Sequence, residues 1–139
     1  MIILDTNVVS EPMKTDGAQS VVDWLDRQAA ETLYLTAVNL AELLVGVETM
    51  PAGRRREGVG AALAALISKL FGARILPFDE DAARAYASLV ARARAKGVAL
   101  SVADAQIAAI ATSRGFAVAT RDTAPFVAAG VPIIDPWRP

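Results

Sequence analysis

The sequence predicts an α/β fold, a three-layer sandwich with a mostly parallel central sheet flanked by helices. Short apolar runs alternate with helical patterns from one end of the chain to the other, which is the signature of βαβ units. Several of those runs, such as Met1-Ile2-Ile3-Leu4 and Phe116-Ala117-Val118-Ala119-Thr120, read as buried strands. No repeat, low-complexity tract or linker interrupts the 139 residues, so one domain spanning 1–139 is expected. A chain of that size buries roughly two-thirds of its unfolded surface.

The elements follow in order. Met1 to Leu4 is the first strand and delivers Asp5 at its carboxyl end. Val21, Val22, Trp24 and Leu25 mark an amphipathic helix ending near Ala30. Leu33-Tyr34-Leu35 is a short strand, and Thr36 caps a helix running to about Thr49. Pro51-Ala52-Gly53 breaks the chain before a helix from Arg54 to Leu70, stopped by Gly72. Arg74 to Phe78 is the next strand, and Asp79 caps a helix reaching Lys96, with Gly97 as its stop. Ser101 starts a helix whose Ala103, Ile107, Ile110 and Ala111 face inward, and Gly115 ends it. Phe116 to Thr120 is a strand, Thr123 to Ala128 a short helical turn, and Val131 to Ile134 the last strand.

Missing atoms exclude much chemistry. With no cysteine and no histidine, the chain cannot build thiolate or imidazole zinc sites, Cys nucleophiles or Ser-His-Asp triads. An oxygen-only inventory favours magnesium, manganese or calcium. The net charge of −1 is an average. Setting aside four candidate site acids leaves a mildly basic remainder, which suits a polyanionic substrate around a metallated centre. No apolar run approaches the ~20 residues of a membrane span, and Met1 opens the first strand without a leader, so a cytoplasmic location is expected. The hydrophobic fraction of 54% points to a surface covered by a partner or a second copy.

Four acids stand out. Asp5 follows the first strand, at the edge where open α/β sheets bind ligands, and Thr6 and Asn7 leave the strand end with it. Glu42 lies mid-helix with Val38, Asn39, Val45 and Gly46 at i±3 and i±4, while Glu48 is a nearby decoy. Asp104 sits in the first turn of its helix, where Ser101-Val102-Ala103-Asp104 also reads as a capping box. Asp122 follows Thr120-Arg121 just past a strand and doubles as an N-cap. Each acid alone has an ordinary structural use. A carboxylate among apolar residues is costly unless compensated, and together the four read as a centre for a hard divalent cation.

These residues resemble the PIN-domain ribonucleases, specifically the VapC-type toxins of toxin–antitoxin pairs and their FitB-like branch. The likeness covers essentially the whole chain. It rests on Ile2-Ile3-Leu4-Asp5-Thr6-Asn7, Asn39-Leu40-Ala41-Glu42-Leu43, the stretch from Ser101 to Ala111, Thr120-Arg121-Asp122, and Ile134-Asp135-Pro136-Trp137. The resemblance implies a metal-dependent endoribonuclease acting on tRNA or another structured RNA. Asp5, Glu42, Asp104 and Asp122 would hold Mg²⁺, with Mn²⁺ as an alternative, and Asn7 and Thr120 would support them. It further implies a homodimer and a cognate VapB- or FitA-like antitoxin, in a heterotetramer or larger complex that meets DNA only through the antitoxin. One departure is Pro125 before Phe126, where the family often carries an acid, so the fourth acidic position rests on Asp122.

For substrate grip, Arg121 beside Asp122 is the favoured phosphate contact, since guanidinium forks pair with phosphate oxygens. Arg54-Arg55-Arg56 opposes the dipole at its helix start and so is not placed for helix stability; Arg92 and Lys96 share a face. Two other readings compete. A haloacid-dehalogenase-like Mg²⁺-dependent phosphohydrolase needs a second Asp where Asn7 stands, and a receiver domain needs a late lysine that the chain lacks after Lys96. The non-enzymatic alternative is a PIN-like module that only binds its partner.

Overall fold

The computed structural model describes residues 1–139. Five strands, β1 (Ile2–Leu4), β2 (Leu33–Thr36), β3 (Ile75–Leu76), β4 (Ala117–Ala119) and β5 (Ile133–Ile134), form one sheet in the order β3-β2-β1-β4-β5. Every pairing is parallel. Seven helices join them: α1 (Thr6–Ser10), α2 (Gln19–Asp26), α3 (Ala37–Glu48), α4 (Arg54–Leu66), α5 (Glu80–Ala95), α6 (Val102–Arg114) and α7 (Thr123–Ala128). The chain winds outward from β1 through β2 to β3, then returns to the other side of β1 for β4 and β5. The winding reverses between β1 and β4, so their carboxyl ends flank the crevice where open α/β sheets place their sites.

Successive strand residues serve opposite layers, because side chains alternate across a sheet. Ile3 and Val118 belong to a core shared with α5, α6 and α7, whereas Leu4 and Ala119 belong to a second core with Val8, Val21, Trp24, Leu43, Leu63 and Phe71. A strand buried on both faces has no polar alternate, which is why Ile2-Ile3-Leu4 is uniformly apolar. In α6, Ala105, Ile107, Ala108, Ala109, Ile110 and Ala111 are all buried, and the alanines let the helix lie close to its neighbours. Ile107 is fully enclosed, so Ile107→Ala would cost roughly 2–5 kcal/mol.

Element boundaries depart from the sequence reading at several places; the helix expected to end near Ala30, for one, stops at Asp26. A five-residue helix, α1, follows Asp5 directly, where the sequence reading places no element. The helix expected to run from Arg54 to Leu70 is α-helical to Leu66 and then widens into a π-turn, Ile67–Phe71. Gly72, at φ 52°, donates its N–H to Ile67 O at 2.9 Å, and Arg74 donates to Leu70 O and to Leu33 O, joining the helix end to the start of β2. The expected strand from Arg74 to Phe78 shortens to two paired residues, because Pro77 brings no N–H to the ladder. Only Ile133 and Ile134 of the last expected strand pair with β4. No helix is long and apolar enough to cross a membrane.

Candidate active site

Asp5 emerges from β1 as the N-cap of α1, accepting from Thr6 N–H at 2.8 Å. The same Oδ1 accepts from Asn39 Nδ2 at 3.1 Å, while Oδ2 accepts from Thr120 Oγ1 at 2.8 Å and, more weakly, from Asn7 Nδ2 at 3.5 Å. Donors from α1, α3 and the residue just after β4 thus converge on one buried carboxylate. Burial pushes its carboxyl above the usual carboxylate range, against the hydrogen bonds from Thr120, Thr6 and Asn39, and the charge of Asp104 adds to the rise.

Thr6 links the next acid. Its hydroxyl accepts from Asn39 Nδ2 at 3.3 Å and donates to Glu42 Oε1 at 3.0 Å. Partial desolvation raises the Glu42 carboxyl, the Thr6 bond opposes that, and the charges of Asp5 and Asp104 reinforce it. Three acids from β1, α3 and α6 therefore share one electrostatic neighbourhood. Glu42 is nonetheless exposed on its largely apolar face. Its helix turns that side toward an open groove lined by Thr6, Ser10, Met13, Gly46 and Val59.

Asp104 is free of the structural duty the sequence offered. Ser101 Oγ accepts from Asp104 N–H at 3.1 Å, but the capping box is only half made, since no return bond reaches the Ser101 amide. The carboxylate is left available for other partners. Asp122 likewise makes no side-chain cap for α7. Only its backbone reaches the cluster, donating N–H to Thr120 Oγ1 at 3.1 Å, and its charge is not among those acting on Asp5 or Glu42. No three acidic side chains are gathered closely enough to hold one ion between them as they stand. The donor chemistry is nevertheless that of a hard cation: carboxylates, hydroxyls and amide oxygens only.

The supporting residues fall into place around Asp5. Thr120 is fully buried and bridges Asp5 to the Asp122 backbone; Asn7 spans from Thr120, 3.4 Å away, to the Arg121 N–H, which donates to Asn7 Oδ1 at 3.2 Å. Arg121 lays its guanidinium over Trp137, 5.2 Å from the ring centroid. Glu48, the decoy acid, pairs with Arg56 at 2.9 Å, so one of the three arginines opening α4 serves a structural bond.

Asn39 was overlooked as a functional residue. It is fully buried, its side chain completes the capping box with Thr36, and its remaining N–H groups reach Asp5 and Thr6. The signal was present: a buried asparagine three residues after a capping threonine must find partners for both ends of its amide. Glu11 was also overlooked. It is buried at the end of α1, accepting from Ala18 N–H at 3.0 Å and pairing with Lys14 at 3.0 Å. Those bonds hold its carboxyl below the usual range, with a contribution from the charge of Arg121.

The PIN domain family model matches residues 2–131. The chain is 50% identical to VapC ribonuclease Y4jK of Sinorhizobium fredii, across 100% of this chain and 99% of that protein. It is 43% identical to Toxin FitB of Neisseria gonorrhoeae, across 99% of each. In three dimensions it matches a chain of FitAcB from Neisseria gonorrhoeae with a TM-score of 0.96 and 42% identity, covering 100% of both. Fold and sequence agree, and this chain belongs to the PIN-domain family, in the branch of the VapC-type and FitB-like toxins.

Proposed function

We propose that this protein is the toxin of a type II toxin–antitoxin pair and a metal-dependent endoribonuclease that hydrolyses phosphodiester bonds of tRNA or another structured RNA. The observation that carries this reading is the convergence of Asp5 and Glu42, joined through Thr6 at the reversal point of the sheet and both within the field of Asp104. Three acids repelling one another beside an open groove are costly unless a cation joins them. The 50% identity to a VapC ribonuclease, spread over the whole chain, supports the same class.

Asp5, Asp104 and Glu42 would hold Mg²⁺ or Mn²⁺, with Asp122 at the margin and water completing the set, as magnesium usually retains several waters. Such an ion supplies an activated water and stabilises charge on the phosphate. The chain's own residues do the rest. Thr120, Thr6 and Asn39 keep the Asp5 oxygens aimed, Asn7 ties β1 to the Arg121 loop, and Arg121 offers a fork to a phosphate. Without histidine, a general base for the attacking water would come from one of the carboxylates.

The partners proposed are RNA, a second copy of the chain, and a small cognate antitoxin that blocks the site and alone contacts DNA, all in the cytoplasm. The whole chain acts as one nuclease domain. Cleavage of total RNA and tRNA, with Mg²⁺ titrated against EDTA, tests the proposal. Wild-type protein should cut only with the ion, and Asp104→Asn should not cut. Full-rate cleavage in EDTA would refute it. A metal-loaded wild-type protein that cuts nothing and binds only its antitoxin would favour the partner-binding alternative.

A further inference from the structure

The exposed Arg121 lies over the half-buried Trp137 at the rim of the acidic cluster, and no other group in the chain occupies the guanidinium. The protein's four ion pairs join Lys14 to Glu11, Arg56 to Glu48, Arg84 to Glu80 and Arg114 to Asp79; none uses Arg121. Glu11, the acid that senses Arg121, is already engaged by Lys14 and the Ala18 amide. That turn admits only glycine at position 17, since a Cβ there would collide with the Glu11 carbonyl oxygen. The Arg121 fork therefore keeps its donors for an outside anion.

Its platform is rigid. Thr120 N–H donates to Ile134 O at 2.9 Å, tying the two strand ends together just before Arg121 and Trp137 diverge from them. Asp135 then folds the chain, accepting Trp137 N–H on Oδ1 at 2.9 Å and Arg138 N–H on its carbonyl at 3.0 Å. Pro136 is buried, and Trp137 packs against the core on the α1–α4 side. An arginine on an exposed loop ordinarily samples many rotamers. Stacking on a fixed indole holds the guanidinium plane and removes much of that entropy cost from binding.

We propose that Trp137 is a positioning residue, holding the Arg121 guanidinium as a preformed contact for a phosphate of the RNA strand that enters the acidic cluster. This rests on the nuclease reading above. Three like-charged acids repel a polyanion, and a fixed cation on their rim offsets that repulsion where the strand arrives.

The test measures binding of a labelled single-stranded RNA oligonucleotide to the Asp104→Asn protein in Mg²⁺ over a salt series, with steady-state cleavage by the otherwise wild-type chain alongside. Arg121→Ala should weaken binding about tenfold and flatten the slope of log affinity against log salt by about 0.7, the loss of one phosphate contact on a single strand. Trp137→Ala should weaken binding roughly two- to fivefold and raise KM with kcat nearly unchanged. It should leave the salt slope alone, because the charge remains. Trp137→Phe should recover most of the loss, and Trp137→Ala should add nothing to Arg121→Ala. Equal losses from Trp137→Ala with and without Arg121, a fall in kcat alone, or unchanged binding would each overturn the proposal while leaving the nuclease reading intact. A wild-type protein that neither binds nor cuts RNA in Mg²⁺ would overturn both.

Discussion

Asn39 Nδ2 donates to Asp5 Oδ1 at 3.1 Å, joining α3 to the end of β1 through two buried side chains. The other end of that amide accepts from the Thr36 hydroxyl at 2.6 Å and from its N–H at 3.3 Å. One residue thus closes a helix cap and aims a functional carboxylate. Replacing it by Leu leaves buried polar groups on Thr36 unpaired and removes a donor from Asp5. We expect Asn39→Leu to cost roughly 1–3 kcal/mol in denaturant unfolding and to reduce cleavage as well. A stability change below about 0.5 kcal/mol, the usual range for a surface site, would show that the bridge carries little.

Asp5 and Asp104 should part company in stability. The Asp5 carboxylate is surrounded by donors, so Asp5→Asn places an NH₂ group where only an acceptor fits. The Asp104 side chain makes no structural hydrogen bond, and the bond to Ser101 comes from its backbone. Urea unfolding should find Asp5→Asn weaker by roughly 1–3 kcal/mol and Asp104→Asn within about 0.5 kcal/mol of wild type, both inactive. Asp104→Asn is therefore the cleaner inactive control. Equal stability of the two variants would contradict the geometry.

The metal-free protein should grow more stable as pH falls from neutral toward the upper carboxylate range. The carboxyls of Asp5 and Glu42 titrate higher when folded than when unfolded, so the folded state binds more protons in that window. Their contribution is complete below the unfolded values and lost as pH rises through the folded ones. Glu11 has the opposite sign: its contribution is present above its ordinary value and disappears as pH falls through its lowered one. Urea midpoints measured in EDTA should pass through a maximum on the acid side of neutrality, and Glu42→Gln should shallow the slope above it. A steady loss of stability from neutral pH downward would count against the shared acidic neighbourhood.

Much of this architecture was legible because burial leaves a strong mark on sequence. Strands enclosed on both faces, such as Ile2–Leu4, cannot hide among polar residues, and Asp79 and Ser101 announce their helices by capping them. The helix α1 escaped because five residues are too short to show a period, and its start is defined by Asp5, which also reads as a turn. Glu42 was found by its apolar neighbours, yet of these Val38 packs on the core, Val45 is open to solvent and Gly46 lines an open groove. Periodicity reports a face and not what covers it. Asn39 was missed because its partner Asp5 lies in a distant segment, and Glu11 because its partners Lys14 and Ala18 sit in an irregular turn that shows no period.

Divalent-ion binding to the wild-type, Glu42→Gln and Asp104→Asn proteins, followed calorimetrically with Mn²⁺ or Mg²⁺, bears most directly on the three acids acting together. Wild-type protein should bind the ion saturably and release protons on the acid side of neutrality, since ligands raised above their usual range must first ionise. Either substitution should weaken binding at least tenfold. Wild-type protein that binds no ion, or variants that bind it as tightly as wild type, would contradict a metal centre built on Asp5, Glu42 and Asp104.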